Sequence, residues 1–425
     1  MSKVVKRSWR SDIGGTGLSR KDSRPCDYGA FVPDSLAGRQ ILLDGAVAAD
    51  VADAEAAIVR LNAEAATLVD TEALARLLLR AEAVASSRIE GLEIGARRLL
   101  HAEVVRSLHE KSADGTATEV LNNIDAMVFA VQRVGEGNAI TKGLLLEMHR
   151  RLLAGTRSEK SGGQIRSEQN WIGGSDYNPC SASFVPPPPE LVDYLIEDLC
   201  AFCGTDDLPA VAQAAIAHAQ FETIHPFVDG NGRTGRVLIH LILRRRGLAV
   251  RVLPPVSLIL ATWAESYVDG LTQFRYLGAP TSPGARHGLN TWVGRFAAAC
   301  TRSVHDATTF EVRASDLETE WRNRLGSVRV NSGTDLLLRV LPGAPILTVA
   351  SAASLIARTY NPASVAIRRL ADAKILSQVN VGRRNRAFEA PEVIAAFTAL
   401  ERQLASPDDD TRPSKPSRAV PYRRR

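Results

Sequence analysis

With 425 residues, of which 45% are hydrophobic, 23% charged and only 5% aromatic, the chain has the make-up of a globular protein long enough for two or three domains. The many Ala, Leu and Arg residues favour helix and argue against an all-β fold. No run approaches the roughly 18 apolar residues of a membrane span. The basic residues Lys3, Lys6, Arg7, Arg10, Arg20, Lys21 and Arg24 have no apolar stretch behind them, so export is not expected and a cytoplasmic location is. The five cysteines, Cys26, Cys180, Cys200, Cys203 and Cys300, are odd in number and scattered, which fits a reducing cytosol better than a disulfide framework.

Residues 1–27 and 406–425 are rich in charge and poor in apolar side chains, which predicts disorder at both ends. After Asp410 the second carries Arg412, Lys415, Arg418, Arg423, Arg424 and Arg425 with no acid and reads as a solvated basic tail. Residues 28–115 form an N-terminal helical region; within it Asp70 is an N-cap candidate for a helix over 71–90, which Gly91 ends. Further helices are predicted at 117–134, 140–154 with Thr141 as cap, and 188–203. Between the last two, Gly162 to Pro189 reads as two short extended runs around a loop, stopped by Pro186 to Pro189. Two more helices follow at 209–224, with Pro209 in the first turn, and 231–246, where Arg244, Arg245 and Arg246 complement the dipole and Gly247 caps. A core over 116–310, a connector over 311–333 and a separate domain over 334–405 complete the expected layout.

The stretch joining those two helices, His225-Pro226-Phe227-Val228-Asp229-Gly230-Asn231-Gly232-Arg233-Thr234-Gly235-Arg236, carries the chemistry. Gly230 and Gly232 let the backbone turn sharply around Asn231 and aim N–H groups at one centre, to which the following helix adds its positive N-terminus. Arg233 and Arg236, three apart, share one helix face and can fork onto further phosphate oxygens. Asp229 beside an anion cradle is where a hard cation such as Mg²⁺ would be held. His225 at the entrance is suited to taking a proton from an attacking hydroxyl.

This run closely resembles the signature of the Fic family: His-Pro-Phe, any residue, Asp or Glu, Gly-Asn-Gly-Arg, two residues, Arg. The resemblance extends to Gln169 to Gly174 and Ala182 to Pro188, which look like the family's target-binding flap, and to Ala81 to Gly91. It implies a mainly α fold: a Fic-type helical core with a short β-hairpin flap. The activity implied is adenylylation, transfer of AMP from ATP to a Ser, Thr or Tyr hydroxyl of a target protein. His225 would then be the general base, Asp229 the Mg²⁺ ligand, and Gly230, Asn231 and Gly232 the α-phosphate cradle. Arg233 would hold the β-phosphate and Arg236 the γ-phosphate. Ser86, Glu90 and Gly91 resemble the family's inhibitory motif, in which the glutamate pairs with the second motif arginine, here Arg236, and keeps the γ-phosphate from its productive place. In some relatives the same glutamate positions water to remove AMP, so de-AMPylation using Glu90 is an alternative activity.

In the last domain, helices are expected at 335–341, 349–356 (cap Thr348) and from Asn361-Pro362 to about 373, then strands at 375–381 and 386–390 joined by Gly382 to Asn385. Three helices and a basic hairpin resemble a winged helix-turn-helix. Residues 345–390 hold seven basic groups, Arg358, Arg368, Arg369, Lys374, Arg383, Arg384 and Arg386, against Asp372 and Glu389. DNA is thus an expected partner, with protein docking the other use of such a module. A homodimer is left open. A transcriptional regulator that uses the nucleotide site as a sensor is the rival function from another class. Cys200-x-x-Cys203 ends an apolar helix and reads as core, and His218 as a packed histidine.

Overall fold

The computed structural model describes residues 1–10, 25–65, 71–107, 114–381 and 385–403. It is mainly helical, as expected. In chain order the elements are β1 (Lys3–Trp9), β2 (Cys26–Val32), α1 (Gly45–Ala65), α2 (Thr71–Ile89), α3 (Ala96–Ser107), α4 (Gly115–Arg133), α5 (Lys142–Leu153), α6 (Pro189–Cys203), α7 (Ala210–Ile224) and α8 (Asn231–Arg245). They continue with α9 (Val256–Thr262), α10 (Ala264–Phe274), α11 (Pro283–Leu325), α12 (Gly333–Val340), β3 (Ile346–Leu347), α13 (Val349–Leu355), α14 (Tyr360–Asp372), β4 (Ser377–Val381), β5 (Asn385–Glu389) and α15 (Pro391–Gln403). Among the described residues no helix is long and apolar enough to cross a membrane. The basic tail 406–425, the N-cap candidate Asp70 and the hairpin arginines Arg383 and Arg384 lie outside the described residues.

The chain divides into two compact units. The first comprises Met1–Glu55, Asp125–Leu248 and Glu265–Ala298. At its centre is α7, every residue of which is buried, packed along the almost wholly buried α8. The two helices approach closely at Gly235, where a Cβ would meet Glu222 Oε1 at 2.8 Å and Phe221 Cδ1 at 2.9 Å. Trp292 of α11 anchors the other side, its indole N–H donating to Ala215 O at 2.7 Å.

Three expectations for this unit are corrected. Of the first 27 residues, read as disordered, 11–24 lie outside the described residues, and the others contain β1 and the start of β2, paired antiparallel from Lys3↔Val32 to Trp9↔Cys26. Charge suggested disorder, but Val4, Val5 and Trp9 supply strand-forming side chains, and tertiary contacts fix the ends. Ser2 Oγ donates to Tyr276 O at 2.6 Å, the Met1 ammonium pairs with Asp34, and Trp9 meets Trp171 edge-on at 5.3 Å. The cysteine pattern argued against disulfides, yet Cys26 and Cys180 are bonded, 154 residues apart in sequence; a pairing so distant leaves no local signal. Finally, the two extended runs between Gly162 and Pro189 shrink to a single antiparallel bridge, Ile172↔Phe184. Gly173 and Gly174 both turn through positive φ, and a Cβ on Gly174 would lie 2.5 Å from Ser181 O, so the loop folds tightly on itself.

The second unit comprises Ala56–Ile124, Ala249–Ala264 and Ala299–Arg425. In it α2 is fastened by buried polar groups: Asn123 Nδ2 donates to Ala83 O at 2.8 Å and to Ser87 Oγ at 3.1 Å, and the Ser257 amide at the start of α9 donates to Glu82 Oε2 at 2.7 Å. The C-terminal portion has its own core, with Trp321, Leu337, Leu341, Ile367, Leu370 and Ile375 buried. Its three-stranded sheet has the order β3-β5-β4, β3 being a strand the sequence did not signal. Thr348 caps α13 in a reciprocal capping box with Ser351. α14 starts one residue before the predicted Asn361 cap, with Thr359 at N-cap. The connector expected over 311–333 is helical through Leu325, the end of the 43-residue α11.

Candidate functional site

All of the loop residues singled out above fall in the first unit, at the turn from α7 into α8. α7 stops at Ile224 because His225 adopts a left-handed cap, φ 50° and ψ 62°, with its N–H still bonded to Phe221 O at 2.9 Å. A non-glycine residue there is sparsely populated backbone that surrounding structure must hold. Gly230, at φ 76° and ψ 12°, is the N-cap of α8, and a Cβ there would lie 3.0 Å from Leu152 Cδ2. Between them Asn231 closes the loop on itself: its Oδ1 accepts from Phe227 N and its Nδ2 donates to Phe227 O, each at 2.8 Å. Thr234 Oγ1 donates to Gly230 O at 2.9 Å.

Two cations and one carboxylate stand at this helix entry. Arg233 and Arg236 are buried, at 3% and 1% exposure, on the first turns of α8, where the helix dipole is also positive. Asp229 remains about half exposed and lies 3.6 Å from Arg233; one of its oxygens accepts from Gly230 N at 2.7 Å and the other from Ser158 Oγ at 2.8 Å. Among the described residues no group of three or more His, Cys, Asp and Glu side chains is placed to hold a metal. The donor set therefore suits Mg²⁺ only in its usual habit, with one carboxylate and the remaining ligands from phosphate and water.

Several contributors were not legible beforehand. Glu222 Oε2 lies 3.9 Å from His225 Nδ1. His149 of α5 stacks on Phe227, ring centroids 3.7 Å apart. Its Nδ1 accepts from Gly163 N at 3.0 Å, which leaves Nε2–H to donate to Asp229 O at 2.9 Å. Burial pushes its pKa down to about 4, so it is a neutral clamp at physiological pH. Arg166, 3% exposed, reaches the carbonyl of His225 with its Nε at 2.9 Å. Only local spacing could have hinted at Glu222, three residues before His225; His149 and Arg166 come from distant segments.

The other expected residues behave as follows. Ser86 is fully buried on α2, Glu90 is exposed one residue beyond that helix, and Gly91 at φ 79° ends it. All three belong to the second unit. His218 is buried, with Nε2 2.9 Å from the Tyr267 hydroxyl, and burial drives its pKa to about 3. Cys203 is buried and Cys200 partly so, and burial raises the Cys200 thiol to about 12, consistent with packing.

Comparison with known proteins agrees with this geometry. Residues 139–243 match the Fic/DOC family, and residues 48–132 match the Fic/DOC family N-terminal region. The first of these matches takes in α5 to α8 and the loop between the last two. Protein adenylyltransferase fic-1 of Caenorhabditis elegans is 37% identical over 128 residues, 29% of this chain and 22% of that protein. Protein adenylyltransferase Fic of Drosophila virilis is 33% identical over 150 residues, 34% of this chain and 29% of that protein. The chain thus spans less than a third of the length of these curated relatives. Among solved structures, a Fic family protein from Desulfovibrio desulfuricans G20 has a TM-score of 0.48 at 19% identity, covering 82% of this chain and 97% of that one. Fic-1 (residues 134–508) from C. elegans has a TM-score of 0.45 at 22% identity, covering 62% and 73%.

Proposed function

We propose that the protein is a protein adenylyltransferase that transfers AMP from ATP to a Ser, Thr or Tyr hydroxyl of a target protein. The observation that carries this reading is the loop itself, in which His225 in a left-handed cap, an open Asp229 and two buried arginines meet at one helix N-terminus. His225 takes the proton of the target hydroxyl, whose oxygen attacks the α-phosphorus while pyrophosphate leaves. The amides around Asn231 hold the α-phosphate, Arg233 the β-phosphate and Arg236 the γ-phosphate, so that positioning and charge stabilisation supply most of the rate. Asp229 would hold Mg²⁺, which when bound would neutralise phosphate charge. Glu90, with Ser86 and Gly91, restrains the site by withholding Arg236.

Incubation with Mg²⁺ and ATP labelled on the α-phosphate tests this directly. Label on protein supports transfer of AMP; nucleotide bound with no covalent label supports a sensor instead, and label arriving only from the γ-phosphate indicates kinase-type transfer.

A separate observation favours a role for the C-terminal module. α14 and the β4–β5 ribbon border an open groove of about 600 Å³ whose lining includes Thr348, Tyr360, Ser364, Arg368, Gln378 and Arg386. Neither Arg368 nor Arg386 has a carboxylate in ion-pair range among the described residues, whereas Arg322, Arg324 and Arg339 of the same unit are all paired. We infer that this winged-helix-like module binds duplex DNA, whose major groove admits a helix such as α14. Replacing Arg383 and Arg384 together with alanine is expected to weaken binding to a 30-base-pair duplex. The slope of log affinity against log salt should become shallower by about one for each phosphate no longer neutralised. Arg368→Ala with Arg386→Ala should do the same. Fluorescence anisotropy across a salt series reads both, and no binding by the parent protein at low salt removes DNA from its partners.

A further inference from the structure

The left-handed His225 cap needs something to hold it, and the side chain that does so comes from the foot of the flap-like loop. The Arg166 guanidinium donates to four main-chain carbonyls: His225 O at 2.9 Å, Ile224 O at 3.4 Å, Pro187 O at 2.6 Å and Glu168 O at 3.1 Å. Its own amide donates to Pro226 O at 3.0 Å. Four residues on, Asn170 Nδ2 donates to His225 O at 3.3 Å and to Phe227 O at 3.0 Å. The carbonyls on either side of the turn are thus gathered by two side chains from residues 166–170. The same guanidinium ties in Pro187, at the other foot of the loop.

Such a buried cation calls for a reason. Arg166 is 3% exposed, and among the described residues it forms no ion pair. Burial pulls its pKa down to about 10, so it keeps its charge at neutral pH. The field of Glu190 favours its charge, and its hydrogen bonds all go to carbonyl dipoles, which a planar fork with five donors can engage in several directions at once and an ammonium cannot. A residue used only to fill space there would be apolar.

We propose that Arg166, with Asn170, is the positioning residue of the candidate base: it fixes the His225 peptide in its left-handed conformation and fastens that peptide to both feet of the flap-like loop. The loop and the base then move as one body, so that a target segment seated on the loop meets the imidazole at a set distance. The transfer step affected is the one proposed above, and this inference rests on that reading for its catalytic consequence alone. The conformational part stands independently, because it concerns hydrogen bonds to main-chain carbonyls.

Arg166→Lys keeps the charge and loses the fork; Asn170→Ala removes the second donor from His225 O and leaves Arg166 in place. Two measurements on the full chain decide the matter. In hydrogen exchange read by mass spectrometry, both variants are expected to speed exchange in the peptides covering residues 225–232 and 167–173, with α6 and α11 unchanged. In self-labelling with α-phosphate-labelled ATP, the rate at saturating ATP should fall by about a hundredfold, the scale of a misplaced reacting group. The ATP concentration giving half that rate should stay within about twofold, because the phosphate-holding groups are elsewhere. Exchange at 225–232 equal to the parent's in both variants overturns the proposal. So does faster exchange spread evenly through the chain with ATP affinity lost in step, which would make Arg166 a general structural residue. A parent protein that never labels removes the transfer reading, while the exchange arm still decides whether Arg166 holds the cap.

Discussion

Replacing His225 with alanine is expected to abolish transfer of AMP while leaving ATP binding nearly intact. In the proposed reaction the imidazole acts on the incoming hydroxyl, and the groups proposed for the phosphates, the amides around Asn231 with Arg233 and Arg236, are untouched. A positioned general base contributes about 10²–10⁴-fold, so the variant should lie at or near the detection floor of a labelling assay. Its fold should hold, since alanine replaces a side chain that is 20% exposed and the backbone carbonyl that Arg166 grips remains. Binding of ATP, followed by calorimetry, separates the two effects. Unchanged turnover would remove His225 from the mechanism, and loss of ATP binding would give it a different role.

The opposite effect is expected at Glu90. If the carboxylate withholds Arg236, Glu90→Gly frees that guanidinium for the γ-phosphate and lets the α-phosphate sit in line with the target hydroxyl. A restraint of about 3 kcal/mol corresponds to a rise in self-labelling of a little over a hundredfold, each 1.4 kcal/mol being tenfold. Glu90 is exposed and one residue beyond α2, so its replacement should change stability little. Ser86→Ala should release less, because a hydroxyl helps place the carboxylate but carries no charge. Adding Arg236→Ala to Glu90→Gly should cancel the gain. A raised end point with an unraised initial rate would instead identify Glu90 with removal of AMP. Labelling no faster than the parent at any ATP concentration would leave Glu90 a surface residue.

What could be read in advance was what the chain writes consecutively. The run His225 to Arg236 carries its own geometry, since two glycines, an asparagine and a helix start are local features, and Thr141 and Thr348 were recognisable as caps for the same reason. The supports of that loop were not. His149, Arg166 and Glu222 look like ordinary polar residues of helices and loops, and their roles depend on tertiary approach: a stack on Phe227, four carbonyls converging on one guanidinium, a carboxylate one turn before a cap. β1 was misread because its lysines and arginine were weighed as a solvated run, although its partner strand and Tyr276 give it a place. The α14 start shifted because Asn361-Pro362 outranked Thr359 on local preference alone.

The Cys26–Cys180 bond makes a closed ring of the chain between those two residues. Inside that ring lie α1 to α5 together with Ser86, Glu90, His149 and Arg166; outside it lie His225, Asp229 and both signature arginines. A single cut by a protease anywhere from residue 27 to 179 therefore releases no fragment while the bond is intact: the two pieces stay joined and travel as one band until a thiol reductant parts them. Cys180 is exposed whereas Cys203 and Cys300 are buried, so a mild reductant reaches this link before it meets those buried thiols. The ring thus keeps His149 and Arg166 covalently attached to His225 even after the backbone between them has been severed.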